Sequence, residues 1–482
     1  MYQKLLSELS SSGRRGVSLP SSDVPSQKIE EMVPLHVRRK SAPRLPEISE
    51  IDTVRHFTNL SQKNMSVDTN FYPLGSCTMK YNPKINDELA KIHRFAEVHP
   101  YQPQETIQGI LQLLYELEQS LCEICGMDAF TLQPAAGAHG EFVGLLITRA
   151  YHLSRNDQRT KVLVPDSSHG TNPASAALCG FQVVEVRSNN KGRVDLAHLK
   201  ELADSQTAAL MLTNPNTLGL FEDEILKMAE VIHTVGGLLY YDGANLNPLL
   251  GISKPGKMGF DIVHLNLHKT FSTPHGAGGP GAGPVGVKAK LAEFLPIPRV
   301  VKKNGDSPHF SLREDFPRSI GKVRAFYGNI GVLIRAYVYI RALGAEGLRE
   351  VAEAAILNAN YLRARLEKYF DLPYDGTNLH EFVLSASRQK AKGVTALDIA
   401  KRLLDYGIHA PTIYFPLVVQ EALMIEPTET ESLQTLDRFV EVLENICKEV
   451  EEDPAKLHQA PFTTPISRPD EIRAARQPIL KW

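Results

Sequence analysis

At 482 residues, with 43% hydrophobic and 22% charged side chains, the chain is too long for one core of ordinary size and has the composition of a soluble protein of two or more domains. A formal net charge of -2 gives neither a basic field for nucleic acid nor an acidic tail, and no apolar run approaches the ~18 residues of a membrane span. Five cysteines, an odd number in so long a chain, argue against a disulfide framework and for a reducing, cytoplasmic setting.

In chain order, Met1 to Ser18 mixes serines with Arg14 and Arg15 in the manner of an organelle transit peptide, but Glu8 and the lack of a longer basic run argue against one. Pro20, Pro25, Pro34, Pro43 and Pro46 make residues 1–60 an extended arm. A turn-rich segment, Asn70 to Pro83, follows. Ile107, Ile110, Leu111, Leu114, Leu117 and Leu121 recur at helical spacing and predict a helix over 105–125. Cys122 and Cys125 form a C-x-x-C inside that leucine-rich helix, which suits core thiols better than redox or metal chemistry. Short apolar runs at 161–165, 181–186, 208–212, 237–241 and 261–267 then alternate with helical stretches at 171–179, 195–204 and 222–235. Such alternation predicts an α/β domain over 61–330, a mostly parallel sheet with helices on both faces. From 331 to 453 the pattern changes. A long helical region (331–369), strand-like pieces at 381–385 and 411–416, and a helix at 430–450 read as a smaller α+β domain. The tail, 454–482, carries Pro461, Pro465, Pro469 and Pro478 among basic residues.

The chemistry gathers at the ends of the strands, where parallel sheets bind ligands. Gln133 to Glu141 is a small-residue loop entering a helix; its backbone amides, bare of bulky side chains, suit a phosphate, although a close-packed turn has the same composition. His169 follows the next strand and could stack on a ring, or be simply solvated. Thr213 opens an Asn-Pro turn that could hydrogen-bond a ligand. Asp242 and Lys269 each end an apolar run. An acid that pairs with a pyridinium nitrogen and an amine that forms an imine are what a protein supplies to pyridoxal phosphate. The order phosphate loop, ring-stacking histidine, acid, lysine at successive strand ends carries this reading. Gly276 to Gly281 matches a dinucleotide fingerprint but leads into a strand-like run, Pro284 to Val287, where a helix is required, so nicotinamide binding is rejected. His264, Asn266 and His268 alone do not close a metal shell, and no metal is expected.

Tyr72-Pro73-Leu74-Gly75-Ser76-Cys77-Thr78-Met79-Lys80, His99-Pro100-Tyr101-Gln102-Pro103, Ser168 to Ala174 and Asn266 to Phe271 resemble the glycine decarboxylase component (P-protein) of the glycine cleavage system, in particular subunit 2 of its two-subunit bacterial form. The resemblance runs from Gly13-Arg14-Arg15-Gly16 to Arg473-Ala474-Ala475-Arg476. It implies the type I (aspartate aminotransferase-like) pyridoxal phosphate fold, with Lys269 as the imine lysine, Asp242 as pyridinium partner and His169 stacked on the ring. Ala136, Gly137 and Ala138 would approach the phosphate, with His268 a further contact. Segments 74–80 and 99–102 would line the substrate side.

The implied activity is that of a glycine dehydrogenase (aminomethyl-transferring): glycine loses carbon dioxide, and its aminomethyl group passes to the lipoyl arm of a small H-protein without net oxidation of this enzyme. The implied partner is a paralogous subunit 1 that lacks the lysine, in an α2β2 heterotetramer, without nucleic acid or membrane. Two alternatives stay open: another type I enzyme (a decarboxylase ending in protonation, or a desulfurase), and a non-catalytic subunit of the same complex, against which Lys269 and Asp242 speak. Arg324 is a guess for the glycine carboxylate. Apolar residues of the arm (Leu19, Val24, Val33, Leu35) and tail (Phe462, Ile466, Ile479, Leu480, Trp482) are expected to clasp the partner subunit.

Overall fold

Seven apolar runs between residues 129 and 287 pair into one sheet: β1 (Ala129–Thr131), β2 (Lys161–Pro165), β3 (Gln182–Val186), β4 (Thr207–Thr213), β5 (Leu238–Gly243), β6 (Ile262–Leu265) and β7 (Val285–Val287). The computed structural model describes residues 4–99, 102–275, 281–303 and 308–480. The strand order is β1-β7-β6-β5-β4-β2-β3. β2 pairs in parallel with β3 and β4, as do β4 with β5 and β5 with β6, whereas β7 runs antiparallel to both its neighbours. All seven residues of β4 are buried, as expected of a strand covered on both faces. The period-two geometry of a strand sorts these side chains into two cores. Leu210, Leu212, Leu239, Tyr241, Val263 and Leu265 face one layer, and Ala209, Met211, Leu238, Tyr240 and Ile262 face the other.

The crossover helices are Gly137–Ser154, Thr171–Leu178, Leu196–Leu202 and Ile225–Thr234. The chain moves outward from β2 to β3 and then returns to place β4 on the other side of β2, so the topological switch lies between β2 and β4. The antiparallel β1 and β7, together with a hairpin of β8 (Arg299–Lys303) and β9 (His309–Arg313), complete the region; of these the sequence marks only β7, as the strand-like run Pro284 to Val287, and the three residues of β1 carry too little pattern.

β10 (Phe382–Ser385), β11 (Thr412–Ile413) and β12 (Ala422–Ile425) form a second, antiparallel sheet in the order β10-β12-β11, covered by the Ala396–Asp405 and Leu433–Glu452 helices. The helix Ile330–Leu366 is broken at Gly344, whose φ of 63° is available to glycine at little cost. Residue 331 marks the start of this helix, yet the two apolar cores divide further along it: Val332 to Ala352 pack with the large sheet and Ala359 to Leu366 with the small one. Within the Gln108–Cys125 helix, Cys122 and Cys125 are free thiols whose burial pushes their pKa up, Cys122 to about 12, so neither ionises near neutrality.

The chain divides into two compact units at Ser66/Val67. In the first, the helix Glu50–Ser61 starts at Ser49, whose hydroxyl accepts from the Asp52 N–H, and the Ser11 and Gly13 amides donate to Glu47. Leu19, Val24 and Leu35 of this unit are exposed. No helix among the described residues is long and apolar enough to cross a membrane.

In the second unit, the turn-rich segment is built into the small sheet. Leu74 bridges Ile425, and the Gly75 N–H donates to Met424 O (3.2 Å). A Cβ on Gly75 would stand 2.6 Å from that same oxygen, so only glycine permits the approach. Lys80, buried, forms an ion pair with the largely buried Glu429 (2.7 Å) and also donates to Asn247 Oδ1 (3.0 Å) and Tyr339 Oη (3.1 Å). Burial would lower the Lys80 pKa, but Glu429 outweighs it and the ammonium is held. Removing one partner of such a pair leaves a buried charge uncompensated, so Lys80→Met should destabilise the chain by about 3–5 kcal/mol in denaturant melts. Lys80→Met/Glu429→Leu should recover much of that loss; an unrecovered double variant would locate the cost in the other contacts.

Candidate active site

Parallel pairing in register aligns Thr213 with Asp242 and Asp242 with His264 across the carboxyl ends of β4, β5 and β6. β6 leads into a single helical turn, Leu267–Thr270, which carries Lys269. The Gly137–Ser154 helix begins at the same end of the sheet; its first turn has no side-chain cap, leaving N–H groups and the positive end of the helix dipole open. A Cβ on Gly137 would stand 2.3 Å from Asn266 Oδ1, so the helix start can approach the Lys269 turn only without a side chain.

These elements enclose a cavity of about 230 Å³. Ala136, Gly137, Ala138, His169, Thr213, Asp242, His268 and Lys269 all line it, together with Ser76, Glu141, Thr171 and Asn245. The eight residues singled out from sequence therefore surround one space.

Asp242 is buried at the cavity floor. It accepts from Asn172 Nδ2 (2.9 Å) and from the Ala244 N–H (3.0 Å), and His264 Nε2 lies 3.2 Å from Oδ1 but off the hydrogen-bonding direction. Burial pushes the carboxyl pKa up; His264, the Asn172 amide and the Ala244 N–H outweigh this and hold it below the ordinary range, so Asp242 is ionised. The Asn172 amide also donates to Glu141 Oε2 (3.2 Å), and Glu141 accepts from Thr171 Oγ1 (2.8 Å) and Ser175 Oγ (3.1 Å). Thr171 Oγ1 in turn lies 2.8 Å from His169 Nδ1. One hydrogen-bonded chain thus runs from His169 at the exposed mouth to Asp242 at the floor.

Lys269 Nζ donates to Ser76 O (2.8 Å), a neutral acceptor on the 74–80 segment. His268 beside it is kept neutral: burial first, then the charges of Lys269 and its histidine neighbours, push its pKa down to about 3. Thr213 Oγ1, Asn266 Oδ1 and His268 Nδ1 are buried and have no hydrogen-bond partner among the described residues. Orphaned polar atoms around a cavity of this size are what a polar ligand satisfies.

The sequence reading missed Glu141, Asn172, Asn245 and, in the small region, the buried Glu381 and Glu426. Glu141 and Asn172 stand inside quoted motifs, but only the fold shows which carboxylate each amide or hydroxyl reaches. Arg324 does not line this cavity; it donates to Asn329 Oδ1 (2.9 Å) and borders a different one of about 570 Å³ that also includes His99. Of the motif His99 to Pro103, Pro100 and Tyr101 fall outside the described residues, as do Gly276 to Pro280 and Trp482.

Residues 23–309 match the family described as "Glycine cleavage system P-protein", and residues 351–461 match "Glycine dehydrogenase, C-terminal domain". The chain belongs to the glycine cleavage system P-protein family. It is 58% identical over 482 residues to the "Probable glycine dehydrogenase (decarboxylating) subunit 2" of Caldanaerobacter subterraneus subsp. tengcongensis, covering 100% of this chain and 99% of that protein. Among solved structures, an inhibitor-bound glycine decarboxylase (P-protein) of the glycine cleavage system superposes with a TM-score of 0.75 at 22% identity, over 87% of this chain and 95% of that one. A cysteine desulfurase from Thermococcus onnurineus NA1 superposes with a TM-score of 0.60 at 16% identity, over 79% of this chain and 95% of that one. P-protein family membership and these likenesses establish the type I, aspartate aminotransferase-like fold.

Proposed function

We propose that this chain is the catalytic subunit of a two-subunit glycine decarboxylase, which holds pyridoxal 5'-phosphate at Lys269 and passes the aminomethyl group of glycine to the lipoyl arm of an H-protein. The observation that carries the reading is the meeting of an ionised, buried Asp242 and the Lys269 amine on one cavity whose rim includes an uncapped helix start.

The residues present fit that cofactor. The Gly137–Ser154 helix start offers N–H donors and a favourable dipole to a phosphate, and the orphaned Thr213 Oγ1 and His268 Nδ1 are further polar partners. Pyridoxal phosphate, when bound, supplies an electron-withdrawing ring that takes up the electron pair left as carbon dioxide departs. Asp242 holds a proton on the ring nitrogen, and the Asn172 amide and Ala244 N–H keep its carboxylate ionised and aimed. Lys269 would hold the aldehyde end of the cofactor through Nζ, the position for which the substrate amine would compete. The Glu141–Thr171 linkage orients His169 at the mouth, where its imidazole can cover one face of the ring and exclude water.

The test is exchange of labelled carbon dioxide into the carboxyl of glycine by this chain together with its partner subunit, with the products weighed by mass spectrometry. Accumulation of an aminomethyl adduct on the lipoyl protein supports the proposal. Methylamine release that is indifferent to lipoyl protein would favour a decarboxylase that ends in protonation.

The proposed assembly is an α2β2 heterotetramer with a paralogous subunit 1, in the cytoplasm. The tail divides into two parts. Pro454–Gln459 is a helix whose Leu457 is in the core, Arg468 donates to Asp398 Oδ1 (2.8 Å) and Leu457 O (2.9 Å), and the Phe462 and Thr463 amides donate to Asp405. This part packs back on its own chain, so removing everything from 454 onward would damage the fold. Beyond it, Ile472, Ile479 and Leu480 are exposed, the last at 86%. Deleting only 469–482 should therefore leave the chain folded and weaken its association with the partner subunit. Sedimentation of the truncated pair at dilute concentration checks this; an unchanged heterotetramer would show that the tail has no part in assembly.

A further inference from the structure

Continuing the antiparallel register Phe382↔Ile425 by one residue places Glu381 directly opposite Glu426, at the end of the β10–β12 ladder. Both side chains are completely buried. Two carboxylates facing each other out of water are costly, and like charges opposite one another destabilise a ladder. Yet neither forms a Lys or Arg ion pair among the described residues; His380 Nε2 lies 4.0 Å from Glu381 and 3.8 Å from Glu426 but is uncharged, and the cation that acts on both is Lys269.

Both carboxyls are spent on the same short turn. Glu381 Oε2 accepts from the Ser76 N–H (2.8 Å) and its Oε1 from Asn245 Nδ2 (2.9 Å). Glu426 accepts from the Thr78 N–H (2.9 Å) and the Thr78 hydroxyl (2.6 Å). Ser76 and Thr78 have φ of 65° and 47°, the left-handed region that a β-branched residue adopts only when its surroundings impose it. The carbonyl that this turn presents, Ser76 O, is the one to which Lys269 Nζ donates.

We propose that Glu381 and Glu426 are a positioning pair that clamps the Ser76–Thr78 turn against Lys269, so that the surroundings of the active-site amine change when the pair ionises. The groups that face the pair are Cys77 and Lys80 of the turn segment, Lys269 of the Leu267–Thr270 helix, His380 before β10 and Glu429 beyond β12. Of these, His380 is kept neutral by burial, which lowers its pKa to about 3, and Lys80 is locked to Glu429. Burial, reinforced at Glu381 by the facing Glu426, raises both carboxyls, Glu426 to about 7. The first ionisation of the pair, at Glu426, therefore falls near neutrality, with Glu381 kept protonated above it. The catalytic consequence rests on Lys269 being the cofactor lysine; the pair itself does not.

Cys77, half-buried between the two anchored residues, is the probe. Burial raises its thiol pKa first of all; Lys269 lowers it, and Glu426 and Glu381 raise it further. In the holoenzyme, the rate of Cys77 alkylation by iodoacetamide, resolved by peptide mass spectrometry, should show a step in the neutral range below the thiol's own ionisation. Glu426→Gln and Glu381→Gln should each displace that step, because the remaining carboxyl, still buried, titrates without a like-charged group opposite it, and Cys77 should react several-fold faster at alkaline pH. The absorbance of the bound cofactor should follow the same neutral step in the wild type and move with it in both variants. A wild-type Cys77 profile with no neutral step overturns the proposal without recourse to any variant, and so does an unaltered step in both variants. Because Cys77 reports on the pair whichever lysine holds the cofactor, failure here and failure of the Lys269 assignment are read separately.

Discussion

Lys269→Ala should stop exchange of carbon dioxide into glycine, with a loss of about 10⁴-fold or more, as for other groups that bond covalently to the reacting system. The side chain is only half-buried and its one side-chain hydrogen bond among the described residues is the 2.8 Å bond to Ser76 O, so the fold should survive and the thermal transition should move little. Cofactor would still reach the cavity through the helix start at Gly137 and the Asp242 carboxylate, but dialysis should now remove it. Turnover by the variant at a substantial fraction of the wild-type rate would sink the assignment of this lysine.

Asp242→Asn is expected to bind cofactor and lose most of the rate. Replacing one preorganised charge by a neutral group of the same shape costs on the order of 3 kcal/mol, or roughly a hundredfold in rate. The loss should lie in kcat, since the carboxylate acts on the ring rather than on glycine. The amide also turns two hydrogens into a space where Asn172 Nδ2 and the Ala244 N–H already donate, so some loss of thermal stability accompanies it. Cofactor content, melting temperature and steady-state rates on one preparation separate the two effects. A variant that decarboxylates normally would mean that another group holds the ring nitrogen's proton.

The sheet was legible because its strands are short, apolar and separated by helices with their own period; β4 and β5 were read to within a residue or two. β1, three residues long, was not, since so short a run carries no periodicity of its own, whereas β7 lies within the strand-like run Pro284 to Val287. At the site, Asp242, Lys269, His169, Thr213, His268 and the Ala136 to Ala138 loop were visible as polar chemistry at strand ends. Glu141 and Asn172 were not distinguishable from solvated helix residues until the Gly137–Ser154 and Thr171–Leu178 helices were packed side by side. Glu381 and Glu426 were invisible for a different reason. They lie 45 residues apart and more than 300 from the turn they hold, and only the β10–β12 register brings them together. The tail was misjudged as one piece because proline spacing says nothing about Leu457, which the core absorbs.

Reductive fixation of the cofactor tests the central claim most directly. When the holoenzyme is treated with borohydride, digested and mapped, the pyridoxyl label should sit on the single peptide that carries Lys269, and saturating glycine added before the reductant should protect that peptide. Label on another lysine, such as Lys80, or label at Lys269 that glycine does not diminish, would contradict the account.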